Sequence, residues 1–98
     1  MSQIVIVAKI TVKEEFTNEV YSYLKELYKN THQKDKGCIQ YELHKNLENP
    51  NSFTFIETWE NSDFLDTHMQ KEHFVSFVSK VENKLETLEI NKLEKEDI

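Results

Sequence analysis

The 98-residue chain contains no arginine, one cysteine, one glycine and one proline. Each scarcity excludes something. Without Arg, the planar fork that grips phosphate or carboxylate through two parallel hydrogen bonds is missing, and every cation is a Lys point charge. A tightly held phosphorylated substrate is therefore disfavoured. Cys38 alone rules out an internal disulfide and a thiolate zinc cluster, and suits a reducing compartment. No apolar run approaches the ~18 residues that cross a membrane, and the first apolar stretch is too short and too alternating for a signal peptide. The chain reads as a soluble cytoplasmic protein with no membrane partner. No glycine-rich dinucleotide loop or plausible haem-ligand set is present, so no bound cofactor is expected.

What is present is charge. Eighteen acidic residues oppose twelve lysines, a formal net charge of -6, and the carboxylates are spread along the whole chain. Nucleic acid is an unsuitable partner for such a surface. Hydrophobic residues make up 38% and charged residues 31%, which is below and above the usual shares respectively. A chain of this length has room for one domain, residues 1–98, whose core is marginal if one face stays wet. A second subunit is expected to complete the burial.

Gly37 and Pro50 each separate two strongly patterned segments and mark turns. The run Gln3–Val12 is rich in β-branched residues and reads as a strand. Ile4, Ile6, Ala8, Ile10 and Val12 line one face, and Val5 and Val7 make the other apolar as well. From Glu14 to about His32, Phe16, Val20, Tyr23, Leu24, Leu27 and Thr31 form one stripe at helical spacing, with Glu14 and Glu15 in the first turn. Two alternating segments follow Gly37 and Pro50, placing Tyr41 with Ile39 and Leu43, and Glu57 with Phe53, Phe55 and Trp59; the loop NLENPNS joins them as a hairpin.

A second helix, capped by Ser62 or Asp63, carries Phe64, Leu65, His68 and Met69 on one face. Phe74, Val75, Phe77, Val78 and Val81 lie on another, so the stripe swings by on the order of 150° and a break is expected between Gln70 and His73. Leu85–Leu93 reads as a last strand through Leu88 and Ile90, and residues 91–98 as a fraying charged tail.

Strand, helix, strand, strand, helix, strand is the split βαβ order of ferredoxin-like α+β folds, with the helices on one face of a four-stranded antiparallel sheet. The other face, carrying Val5 and Val7 or Phe53 and Phe55, is too apolar for water, which predicts a face-to-face homodimer.

The segment IETWENSDFLDTHMQKEHFVSF, from Ile56 to Phe77, resembles the antibiotic biosynthesis monooxygenase (ABM) family, especially its quinol monooxygenase-like branch. The resemblance rests on Glu57 and Trp59 at a strand end, His68 in the following helix, and His73 before Phe74. It implies a dimeric α/β barrel, in a family that includes oxygenases working without metal, flavin or haem, and also members with no known reaction. The haem-degrading branch resembles the same fold but uses a first-strand Asn, which is missing here, a Trp where this chain has His68, and a His where it has Val78. The branch that isomerises a phosphorylated signalling sugar is weakened by the missing Arg, although Lys remains an available anchor. A non-catalytic dimeric binding or stress-response module on the same scaffold is the alternative from a different class.

Oxygen chemistry without a cofactor needs an electron-rich quinol or polyphenol that reduces oxygen once deprotonated, so the protein must supply a base and an apolar enclosure. His68, on the inward face of its helix, is the candidate base, and Glu57 its expected orienting partner. Trp59, Tyr41, Phe64, Met69, His73 and Phe74 are the expected walls for a small aromatic substrate. A His68/His73 metal pair, with or without Glu57, is disfavoured, because a spacing of five on a helix is poor for ligation from one face.

Overall fold

β1 (Ile4–Val12) runs through the middle of a four-stranded antiparallel sheet of order β2-β3-β1-β4, with β2 spanning Cys38–Lys45, β3 Ser52–Trp59 and β4 Leu85–Leu93. The computed structural model describes residues 2–98. After a 3₁₀ turn at Glu14–Phe16 come α1 (Thr17–Lys34) and, after the β2–β3 hairpin, α2 (Ser62–Gln70) and α3 (Glu72–Val81). This is the ferredoxin-like α+β topology expected from the element order.

Alternation decides what the two central strands, β1 and β3, bury. Register pairs Ile6 with Glu57, Ala8 with Phe55 and Ile10 with Phe53, so these residues share one face. All six are buried, with Val12, Tyr41 and Trp59. The helices cover that face: Val20, Leu24, Leu27 and Thr31 from α1, Leu65 and His68 from α2, and Val81 from α3 are buried against it. Tyr21 of α1 stacks on Phe53 at 5.2 Å, and the rings of His68 and Trp59 are 4.6 Å apart.

The opposite face carries Val5, Val7, Thr54, Ile56 and Thr58, all half-buried, beside exposed Lys9 and Glu89. Val5 lies opposite Leu93 and Val7 opposite Ile56. Of the two pairs expected on the open face, only Val5 and Val7 are there. Phe53 and Phe55 belong to the covered face, because their register with Ile10 and Ala8 turns them toward the helices.

Three local outcomes place the site. Asn61, in place of the expected Ser62 or Asp63, caps α2 by accepting from the backbone N–H of Asp63 and Phe64 at 3.0 and 3.2 Å. The expected break falls at Lys71, whose extended backbone (φ -67°, ψ 147°) ends α2 and begins α3. At Gly37 (φ +74°) the turn after α1 tucks beneath α2, and a Cβ there would lie 2.2 Å from Cγ of Phe64. The last strand continues to Leu93, so only residues 94–98 of the expected tail lack regular structure. No helix among the described residues is long and apolar enough to cross a membrane.

Candidate active site

α1 ends at Asp35, whose backbone N–H closes the helix on the carbonyl of Thr31 at 3.1 Å. The chain then turns at Gly37, which directs the Asp35 side chain under the joint between α2 and α3. There the carboxylate meets two imidazoles. Oδ2 of Asp35 makes a close hydrogen bond with Nδ1 of His68, and Nε2 of His73 lies 3.0 Å from Oδ1 and 3.2 Å from Oδ2. The Asp35 and His68 side chains are each 2% exposed and that of His73 is 8% exposed.

The break at Lys71 makes this cluster possible. On an uninterrupted helix a five-residue step rotates a side chain by about 500°, leaving the two histidines on different faces. The extended residue between α2 and α3 resets the phase, and the His68 and His73 rings come within 6.1 Å. The expectation that their spacing keeps them apart is therefore overturned, because it assumed one straight helix. Donor atoms of Asp35, His68 and His73 all lie within 4.8 Å of one another, a grouping that offers three ligand atoms to a metal ion.

Aromatic residues close the back of the site. The Trp59, Phe74 and Tyr41 rings stand 4.6, 5.0 and 5.5 Å from that of His68. Burial lowers the His68 pKa from its ordinary value, against the opposing pull of Asp35, and so favours the neutral ring at pH 7. Glu57 accepts a 2.9 Å hydrogen bond from Nε1–H of Trp59, and its pKa is pushed by burial up to about 7. Burial likewise holds the Tyr41 phenol well above its usual range.

The structure brings together His68, His73, Phe74, Trp59 and Tyr41 as expected, but it changes several roles. The partner of His68 is Asp35, whereas the Glu57 carboxylate is engaged by Trp59. Trp59 and Tyr41, 0% and 1% exposed, support the imidazole from behind. Met69 points outward at 42% exposure, since it follows His68 by one residue and so turns about 100° from it. Asp35 escaped the sequence reading because it lies in the charged stretch KDK, where nothing sets it apart from solvated neighbours.

Two clefts approach the cluster. A small one, of about 140 Å³, is bounded by Lys34, Asp35, Lys36, Phe64, His68 and Lys71. A larger one, of about 380 Å³, runs between α1 and α3 and has His73 on its wall. Lys34 and Lys71 border both.

Solved structures and curated relatives share this arrangement of elements or its sequence. The crystal structure of a conserved protein from Methanosarcina mazei superposes with a TM-score of 0.89 at 35% identity, covering 98% of this chain and 95% of that one. Over 77 residues the chain is 34% identical to the uncharacterised protein sll1783 of Synechocystis, covering 79% of this chain and 52% of the relative. The chain thus matches only about half of that relative's length. YcnE of Bacillus subtilis, named as a candidate monooxygenase, is 31% identical over 77 residues, covering 79% of this chain and 80% of YcnE. The pattern of the family described as "Antibiotic biosynthesis monooxygenase" matches residues 3–80, strands β1 to β3 and nearly all of the three helices, and the chain belongs to that family.

Proposed function

We propose that the protein is a monooxygenase for a single-ring quinol or polyphenol that needs no bound cofactor, with His68 as the base. The observation that carries this reading is the buried Asp35–His68 pair. A carboxylate at Nδ1 favours the tautomer with the proton on that nitrogen, which leaves the Nε2 lone pair to accept a proton from a phenol. Burial keeps the ring neutral before the reaction, and Asp35 stabilises the imidazolium afterwards.

The deprotonated substrate supplies the electrons. A quinol plus one oxygen molecule gives a hydroxyquinone plus water: one oxygen atom is bonded to the ring, the other is reduced to water, and the substrate is oxidised to the quinone level. The cleft beside His68 is smaller than the ~300 Å³ at which ordinary ligand pockets begin, which favours one ring over a polycycle. Phe64 supplies an apolar wall and His73 steadies the same carboxylate.

The acting unit in this proposal is a homodimer formed through the open sheet face, where Val5, Val7 and Ile56 are grouped with Leu93. Oxygen-electrode measurements on a quinol panel, with and without a chelator, test the reading. Expected are oxygen uptake that survives chelation and a ~10²- to 10⁴-fold loss in His68→Ala. Uptake abolished by chelation would reassign Asp35, His68 and His73 to a metal. No uptake with any quinol would favour the non-catalytic module or the isomerase.

A further inference from the structure

Three lysines border the cleft that leads to His68: Lys34 and Lys36, on either side of Asp35, and Lys71, at the α2–α3 break. The acidic side chain bordering the same cleft is Asp35, which is engaged by both histidines. Among the described residues, the lysines found in ion pairs are Lys80, with Glu26, and Lys84, with Glu19, so the three at this mouth have no carboxylate partner. What sets them apart is their grouping at one cleft in a chain of net charge -6. The N-terminal end of the ten-residue α3 opens beside Lys71, with Glu72 in its first turn facing the partial positive charge of the helix end.

From this unpaired ring of Lys34, Lys36 and Lys71 around the mouth of the His68 cleft, we infer that the natural substrate is anionic: a hydroxylated aromatic ring carrying a carboxylate, anchored by the lysines while a phenol reaches His68. The inference rests on the proposed function and narrows its substrate class. A protein with an overall negative field repels anions at long range, but beyond about 8 Å that field is screened at physiological salt, so the nearest charges decide what binds. Here those charges are three lysines and the one Asp35 carboxylate, which the two histidines engage. Lys offers single, compact contacts to an anionic group, and the Arg fork that would grip a carboxylate or phosphate through two parallel bonds does not occur in the chain. The cleft volume of about 140 Å³ accommodates a ring and its substituent at the rim.

The test compares 2,5-dihydroxybenzoate with hydroquinone, which differ by the carboxylate, using calorimetric titration at low and high salt. Dihydroxybenzoate should bind about tenfold more tightly at low salt and lose that advantage at 0.5 M salt, a regime of roughly 4 Å screening. Lys71→Gln and Lys34→Gln should each weaken its binding about three- to tenfold while leaving hydroquinone unchanged. Equal binding of the two ligands, or lysine variants that bind dihydroxybenzoate like wild type, would overturn the inference, and oxygen uptake with hydroquinone would keep the monooxygenase reading intact. Lysine-dependent binding of dihydroxybenzoate without oxygen uptake would support the inference while removing the monooxygenase reading. Much tighter, lysine-dependent binding of 4-hydroxyphenyl phosphate would reassign the ring to phosphate and overturn the carboxylate.

Discussion

Asp35 and His68 are separated by 33 positions in the chain, yet the carboxylate of one holds Nδ1 of the other in a pocket where both side chains are 2% exposed. Neither residue can be read apart from the other. A buried imidazole without Asp35 would have no fixed tautomer, and Asp35 without the two histidines would be an uncompensated buried charge.

Asp35→Asn separates these roles. The amide preserves shape but can donate to Nδ1, which favours the tautomer that carries a proton on Nε2 and cannot accept one there. Oxygen uptake should fall ~10²-fold or more while the fold persists. Near-normal turnover in Asp35→Asn, measured beside an unchanged circular dichroism spectrum, would show that His68 works without its carboxylate.

Two buried titrating groups, His68 and Glu57, pull stability in opposite directions. His68 has a folded pKa below its ordinary 6.5, so its contribution is fully present above 6.5 and is lost as pH falls through the folded value. Glu57 has a folded pKa raised from 4.5 to about 7, so the folded state holds its proton more tightly. Its contribution is fully present below 4.5 and declines as pH rises through 7, by roughly 3 kcal/mol at most. Glu57→Gln keeps an oxygen for the Trp59 N–H and removes the charge. Its Tm relative to wild type should rise between pH 5 and pH 8. A difference independent of pH would mean that Glu57 is solvated in solution.

Gly37 is needed for two reasons, its positive φ and the ring lying against it. In Gly37→Ala the new methyl would strain the turn and push Phe64 away, costing on the order of 2 kcal/mol or more. Because that turn also aims Asp35, activity should fall beyond what the Tm loss explains. A variant with wild-type Tm would imply that α2 shifts freely over the turn.

The open sheet face is tested by Val7→Lys. Val7 and Ile56 are register partners in its middle, so one charge there should oppose self-association without touching the helical core. Sedimentation should find wild type dimeric at micromolar concentration and the variant shifted to monomer. A wild-type chain that sediments as a stable folded monomer would dispose of the dimer.

Local pattern was enough for much of this protein. The alternation of β1 and β3, the α1 stripe from Val20 to Thr31, the turns at Gly37 and Pro50 and the break near Lys71 all follow from residue spacing, because side-chain period and backbone freedom are properties of adjacent residues. The register shift at Cys38–Gln40, by contrast, exposes Ile39, which spacing places with Tyr41. The inward phase of His68 follows in the same way. Tertiary structure alone decided which acid meets which base. Glu57 and His68 were both legible as inward-facing, but pairing depends on depth and direction in the folded core, where Trp59 is Glu57's immediate hydrogen-bond partner. Asp35 was illegible because its partners lie 33 and 38 residues away, and no period within a charged stretch marks a side chain that turns inward only after α1, the Gly37 turn and the α2–α3 break have been assembled.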